Sequence, residues 1–331
     1  MSGDTLAVVL KHLLISALLL SCACGSKPTQ AATPPTPISC NGHPELCARA
    51  YDAVAYAGTH DAYADTDENF LAHDQTVPIS RQLDDGIRVV HIEAHAYDGG
   101  VFACHSDCYL GQQPLIDEMQ SVNDFLDENP HEVVTLLLER SDSTITADDI
   151  GFAMRDAGLA PKMLVQTLGQ PWPTLGDMVD AGTRAVAFLD DPSGSDYPWL
   201  LPRWDFTWET PWNNQTPQDF GNCDADRGTK GNSIFVVDTY LEDWPVQSAA
   251  HEALVNYDPF LIDRAIDCQQ QAHALPNFVM MDFYEASDVF HVVDVLNGFA
   301  PAPTDISGFP PNVFVDGGGV MNVDAGPSDG G

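Results

Sequence analysis

The segments GTHDAY (residues 58–63) and RVVHIEAHAYDGGVFACHSDC (residues 88–108) hold His60, Asp61, His91, Glu93, His95, Asp98 and His105, and their layout decides the fold. In the second segment Val90, Ile92 and Ala94 alternate with His91, Glu93 and His95. That two-residue period marks a β-strand with one apolar and one polar face. The apolar run Val54–Gly58 ends just before His60, and Val101–Cys104 ends just before His105. Ionisable side chains therefore gather at the C-terminal ends of strands.

The same reading extends outward. Ile79–Asp85 is expected to be a helix stopped by Gly86, and Pro114–Asn129 an amphipathic helix stopped by Pro130. Val133–Leu138 is almost wholly apolar, as a strand covered on both faces should be, and it ends in Glu139-Arg140. Further strands are expected at Ala185–Leu189, Ile234–Val237 and Phe278–Phe283, ending near Asp190, Asp238 and Asp282. Helices are expected at Asp148–Ala157, Thr174–Ala181, Val246–Asn256, Pro259–Ala272 and Asp288–Leu296. Strands alternating with helices imply an α/β fold with a parallel sheet. Charged residues at strand ends favour an irregular TIM (β/α) barrel, whose site lies on the loops leaving the strands. An open doubly wound sheet is the alternative, but it would carry a Gly-rich phosphate turn, which GTHDA is not. The segment 192–230 lacks periodicity and is expected to be a long loop over the barrel mouth. Trp172, Trp204, Trp208 and Trp212 are read as packing residues, with a lipid or sugar groove as the alternative.

Thirteen Lys and Arg stand against 49 Asp and Glu, a formal net charge of −36 over 331 residues. No basic patch is available for nucleic acid, and anionic membrane surfaces would repel the chain. Lys11 and His12 precede the apolar run Leu13–Leu20, and Leu19-Leu20-Ser21-Cys22 resembles a bacterial lipobox, with Cys22 as the lipidated residue. The run is short for a spanning helix. The expected organisation is a signal peptide over 1–22, a Pro/Thr-rich tether and Cys loop over 23–48, a catalytic barrel over 49–299 and a disordered tail over 300–331. The chain is expected to be exported as a monomer, either lipid-anchored to a bacterial envelope or secreted.

Six further cysteines suggest disulfides in an exported chain, with fifteen pairings open. Near-neighbour closure favours Cys40–Cys47 and Cys104–Cys108, leaving Cys223–Cys268.

On a barrel, the first strand ends deliver His60 and Asp61, Glu93 with His95, His105, and Glu139 to one rim. Two imidazoles can move protons to and from a phosphodiester. Carboxylates beside a phosphate call for a hard divalent cation.

GTHDAY, the QLDDGIR turn (82–88), Glu93, CHS (104–106), NPHEVVTLLLE (129–139), WPTLGDMV (172–179) and PNFVMMDFY (276–284) together resemble the X domain of phosphatidylinositol-specific phospholipases C. The similarity is to the exported single-domain members and spans roughly residues 50–298. It implies a PLC-like phosphodiesterase barrel acting on a phospholipid or related phosphodiester. His60 and His105 would be the catalytic pair. Asp61, Glu93 and Glu139 would be metal ligands, with calcium as the ion and magnesium as the alternative. His91 stands where calcium-dependent relatives carry another carboxylate. His91, His95, Arg140 and Asp282 are possible additions to the site. A glycerophosphodiesterase, a sphingomyelinase D-like lyase and a non-catalytic binding module are the competing functions.

Overall fold

In the computed structural model of the chain, the described residues are 38–68, 70–242, 247–302, 314–316 and 319–321. Cys22, the signal and the expected tether up to residue 37 lie outside them.

Eleven strands form one sheet: β1 Tyr56–Thr59, β2 Val89–Tyr97, β3 Gly100–Ala103, β4 Gln113–Pro114, β5 Val134–Arg140, β6 Ala185–Leu189, β7 Leu200–Pro202, β8 Thr207–Glu209, β9 Arg227–Gly228, β10 Ile234–Asp238 and β11 Pro276–Met281. The helices are α1 Ile79–Asp85, α2 Leu115–Glu128, α3 Ala147–Asp156, α4 Leu175–Ala181, α5 Arg203–Phe206, α6 Ala249–Glu252, α7 Phe260–Ala272 and α8 Val289–Leu296. The sheet runs β7-β6-β5-β2-β1-β11-β10-β8 with every neighbouring pair parallel. These eight strands follow chain order around a curled sheet, so the fold is an irregular (β/α) barrel. Among the described residues no ladder joins β7 to β8; α5 bridges that gap.

Two expectations need correction. The strand at Val101–Cys104 exists, but it is antiparallel to the end of β2, with Ala94 opposite Ala103 and Tyr97 opposite Gly100. Asp98 sits in the intervening turn at φ 44°. It is a hairpin off the rim and not a wall strand. The segment 192–230, expected as a loop, supplies two wall strands, β7 and β8, and the small strand β9. Each has three residues or fewer, too few for a two-residue period to register. The tail from residue 300 carries two short antiparallel strands, Phe314–Asp316 and Gly319–Met321.

Alternation in the wall strands divides the core in two. Tyr56, Val89, Leu137, Phe188, Val236, Phe278 and Met280 pack together on one side, with Tyr51, Trp172 and Leu175. Ala57, Val90, Ile92, Leu136, Val279 and Met281 pack with residues of α1, α2, α3, α7 and α8. His91, Glu93, Glu139 and Asp238 continue the first set toward the C-terminal ends of their strands, so strand periodicity alone aims them into the barrel mouth. Gly58 lies on that side too; a Cβ there would collide with Met280 and crowd Val89. Gly86 ends α1 in the left-handed region (φ 117°), donating to the Gln82 and Leu83 carbonyls. All three expected disulfides are present: Cys40–Cys47, Cys104–Cys108 and Cys223–Cys268. No helix among the described residues is long and apolar enough to cross a membrane.

Candidate active site

One pocket at the C-terminal ends of the strands is lined by His60, Asp61, His91, Glu93, His105 and Glu139, together with Arg203, Trp212, Arg227, Asp238, Tyr240 and Glu242. The sequence therefore brought six candidates to one place. Of the other six, Asp238 lay in view as a strand end and Trp212 as the alternative groove residue; Arg203 and Arg227 are scattered basic residues of the segment without periodicity, and Tyr240 and Glu242 carried no signal.

His60 follows β1. Its Nδ1 lies 3.1 Å from Asp282 Oδ1, beyond β11, and its ring stacks on Tyr240 at 4.0 Å. Asp282, a possible addition to the site, is thus paired with His60. His105 is placed by the hairpin and the Cys104–Cys108 bridge, and Tyr63 Oη donates to the Cys104 carbonyl at 2.9 Å. Between the two histidines lies Asp61, only 1% exposed. Its Oδ2 is 3.7 Å from His60 Nε2 and 3.5 Å from His105 Nε2, and its Oδ1 is 3.0 Å from His91 Nδ1. The backbone is left-handed at Asp61 (φ 38°), at Ser106 beside His105 (φ 61°) and at Phe283 beside Asp282 (φ 49°). Such residues cost on the order of 1–3 kcal/mol each and concentrate at functional sites.

The charges are ordered by these contacts. Burial opposes ionisation of Asp61, but His60, His91 and His105 outweigh it and hold the carboxyl well below the usual range. Burial also opposes the His91 cation, yet hydrogen bonds to Asp61 and Glu139 raise it to about 10. Glu139 is lowered to about 2, chiefly by His91. Asp238 is pushed up to about 7 by burial and by Glu209, against Arg227 and Arg203. Asp282 is raised by burial and then by Glu252 and Asp61. A buried carboxylate that the sequence did not flag, Asp74, stands 3.2 Å from His105 Nδ1; burial, Asp282 and Asp61 push it up.

Two candidates fall away from the pocket. Arg140 pairs with Asp191 and donates to the Ile145 carbonyl. His95 pairs with Glu93 at 3.6 Å but does not line the pocket. Trp172 and Trp208 are core residues, at 7% and 1% exposure. Trp204 packs on the guanidinium groups of Arg203 and Arg227.

The ligand set expected for calcium does not fit as placed. His91 occupies the space between Asp61 and Glu139, its Nε2 3.7 Å from Glu139 Oε2, and Glu93 is engaged with His95. Among the described residues the groups that converge within ligand distance are His60, Asp61 and His91, or Asp61, Asp74 and His105. These mixed imidazole–carboxylate sets differ from the oxygen cage that calcium selects.

Comparison with known proteins identifies the family. Residues 46–297 match the model of the family described as PI-PLC X 1. A PI-PLC X domain-containing protein 1 of Arthroderma benhamiae is 31% identical over 277 residues, covering 78% of this chain and 89% of that protein. A PI-PLC X domain-containing protein of Arabidopsis thaliana is 25% identical, over 81% of this chain and 65% of its own length. The phosphatidylinositol-specific phospholipase C of Listeria monocytogenes shares the fold, with a TM-score of 0.53 over 75% of this chain and 94% of that one, at 15% identity. The chain belongs to the PI-PLC X family.

Proposed function

We propose that the chain is a phosphoric diester hydrolase of the phospholipase C type, with His60 as general base and His105 as general acid. The observation that supports this most directly is the approach of both Nε2 atoms to one oxygen, Asp61 Oδ2, at 3.7 and 3.5 Å. Two proton carriers so placed flank one point in the pocket. His60, backed by Asp282, takes the proton of an attacking hydroxyl or water. The new P–O bond forms, the bond to the leaving alcohol breaks, and His105 protonates the departing oxygen. Arg203 and Arg227 line the same pocket and offer positive charge to the phosphoryl oxygens. The site's few basic groups favour an unphosphorylated inositol lipid, or another singly charged phosphodiester, over a polyphosphorylated head group.

Export is part of the proposal. It is supported by three disulfides, by the leader pattern before Cys22 and by a 27% identical Arthroderma benhamiae relative described as a secreted protein. The test is hydrolysis of a panel of phosphatidylinositol, glycerophosphodiester and sphingomyelin substrates by the wild type and His60→Ala, with calcium or with chelator. Full activity in His60→Ala would overturn the mechanism. Inactivity of the wild type on every substrate would favour a binding module.

A further inference from the structure

We propose that Asp74 is the positioning residue of the general acid, fixing the ring of His105 as Asp282 fixes that of His60. The assignment rests on the reading of His105 as the acid. Asp74 lies in the loop between β1 and α1, outside every motif that carries the family resemblance. It is 0% exposed, and its Oδ2 stands 3.2 Å from His105 Nδ1. Among the described residues neither carboxylate oxygen has an aligned hydrogen bond to any other group, and His105 Nδ1 has none either. The pair is close but off line, a common state of catalytic contacts before substrate tightens them.

The backbone around Asp74 shows what holds it there. Its N–H donates to the Ala64 carbonyl at 2.9 Å, and its carbonyl accepts from Phe283 N–H at 2.8 Å. Gln75 Nε2 donates to the carbonyls of His60 and Met281. The loop is thereby clamped to the segment that presents Asp282. Each catalytic imidazole has a buried carboxylate behind Nδ1, and each Nε2 faces the same oxygen of Asp61. An imidazole held at Nδ1 keeps one tautomer and one ring orientation. As the P–O bond breaks, its electron pair stays on the alcohol oxygen and the proton leaves His105 Nε2 for that oxygen. Nδ1–H remains against Asp74 throughout.

The test uses the full chain, with Asp74→Ala and Asp74→Asn, on two inositol 1-phosphate esters, one of octanol and one of 4-nitrophenol. A poor leaving group needs the acid and a good one does not. For Asp74→Ala the octyl ester should lose kcat on the order of 10²-fold, with KM little changed, while the nitrophenyl ester loses far less. Asp74→Asn, whose amide oxygen can still accept from Nδ1–H, should recover part of the loss. Should Asp74→Ala fail to fold, the ratio of the two losses in Asp74→Asn decides the same point. Equal losses on both esters would mean that Asp74 only supports the loop, and no loss would remove it from the reaction; either overturns the proposal. A wild-type chain inactive on both esters overturns the function itself.

Discussion

His91 Nδ1 lies 3.0 Å from Asp61 Oδ1, and that hydrogen bond joins the end of β1 to the middle of β2 inside the barrel mouth. On its other side His91 Nε2 faces Glu139. An imidazolium therefore stands between two carboxylates where the family resemblance implies a fourth carboxylate around an ion.

Stability should reveal this cation. The folded-state value of His91 is raised to about 10 from an ordinary 6.5. Its contribution is complete below pH 6.5 and is lost as pH rises through about 10. Glu139, lowered to about 2 from 4.5, contributes above pH 4.5 and loses its share as pH falls through about 2. Removing the cation leaves buried Asp61 facing half-buried Glu139, and breaking a buried pair costs about 3–5 kcal/mol, so this partly exposed one should cost less. Melting curves of wild type and His91→Asn should differ most at pH 5–6.5 and converge as pH approaches 10. Parallel curves across that range would contradict the bridge.

Both proton carriers should be needed for catalysis. His60→Ala and His105→Ala should each lower kcat by roughly 10²–10⁴-fold. The double variant should fall well short of the product of the two, because groups that act as a unit are not additive. Asp282→Asn should act in the same direction as His60→Ala with a smaller loss, since it perturbs the base only through its Nδ1 contact. Steady-state rates on one phosphodiester decide all three.

The sequence made six of the eight wall strands and six pocket residues legible because strand alternation and strand ends are local signals, while β7 and β8 are too short to register. His91, Glu93 and Glu139 could be aimed from periodicity alone, and His60 and His105 by their place after apolar runs. Asp74, Arg203, Arg227 and Glu242 could not. Asp74 and Glu242 lie in loops, Arg203 opens the four-residue α5 and Arg227 the two-residue β9, and only the closure of the barrel sets their distances. The relation of His91 to Asp61 and Glu139 was hidden for the same reason. It depends on two inter-strand registers, Thr59 beside Val90 and His91 beside Leu137, that no single segment encodes.

Activity is expected to survive chelation. His91 already stands as a shared counter-charge between Asp61 and Glu139, Glu139 also lies 3.7 Å from Arg227, and Glu93 is paired with His95. Rates measured in EDTA and with added calcium should agree. Loss in EDTA with recovery on calcium would restore the ion that the resemblance implies and would require His91 to swing out of its bridge. His91→Asp, which supplies the missing carboxylate, should then gain calcium dependence relative to the wild type.

The two enclosing disulfides should separate stability from activity. Cys104–Cys108 closes a sequence separation of 4 and Cys223–Cys268 one of 45. Loop-closure entropy assigns them about 2 and about 4 kcal/mol respectively. The longer bridge ties α7 to a cluster of Trp208, Phe235 and Val237, away from the pocket. The shorter one sets the backbone on which His105 and the left-handed Ser106 sit. Paired Cys→Ser replacement at 223 and 268 should lower Tm by more, and paired replacement at 104 and 108 should lower kcat by more. A 104/108 variant of full activity would show that the hairpin and Tyr63 place His105 without the bridge.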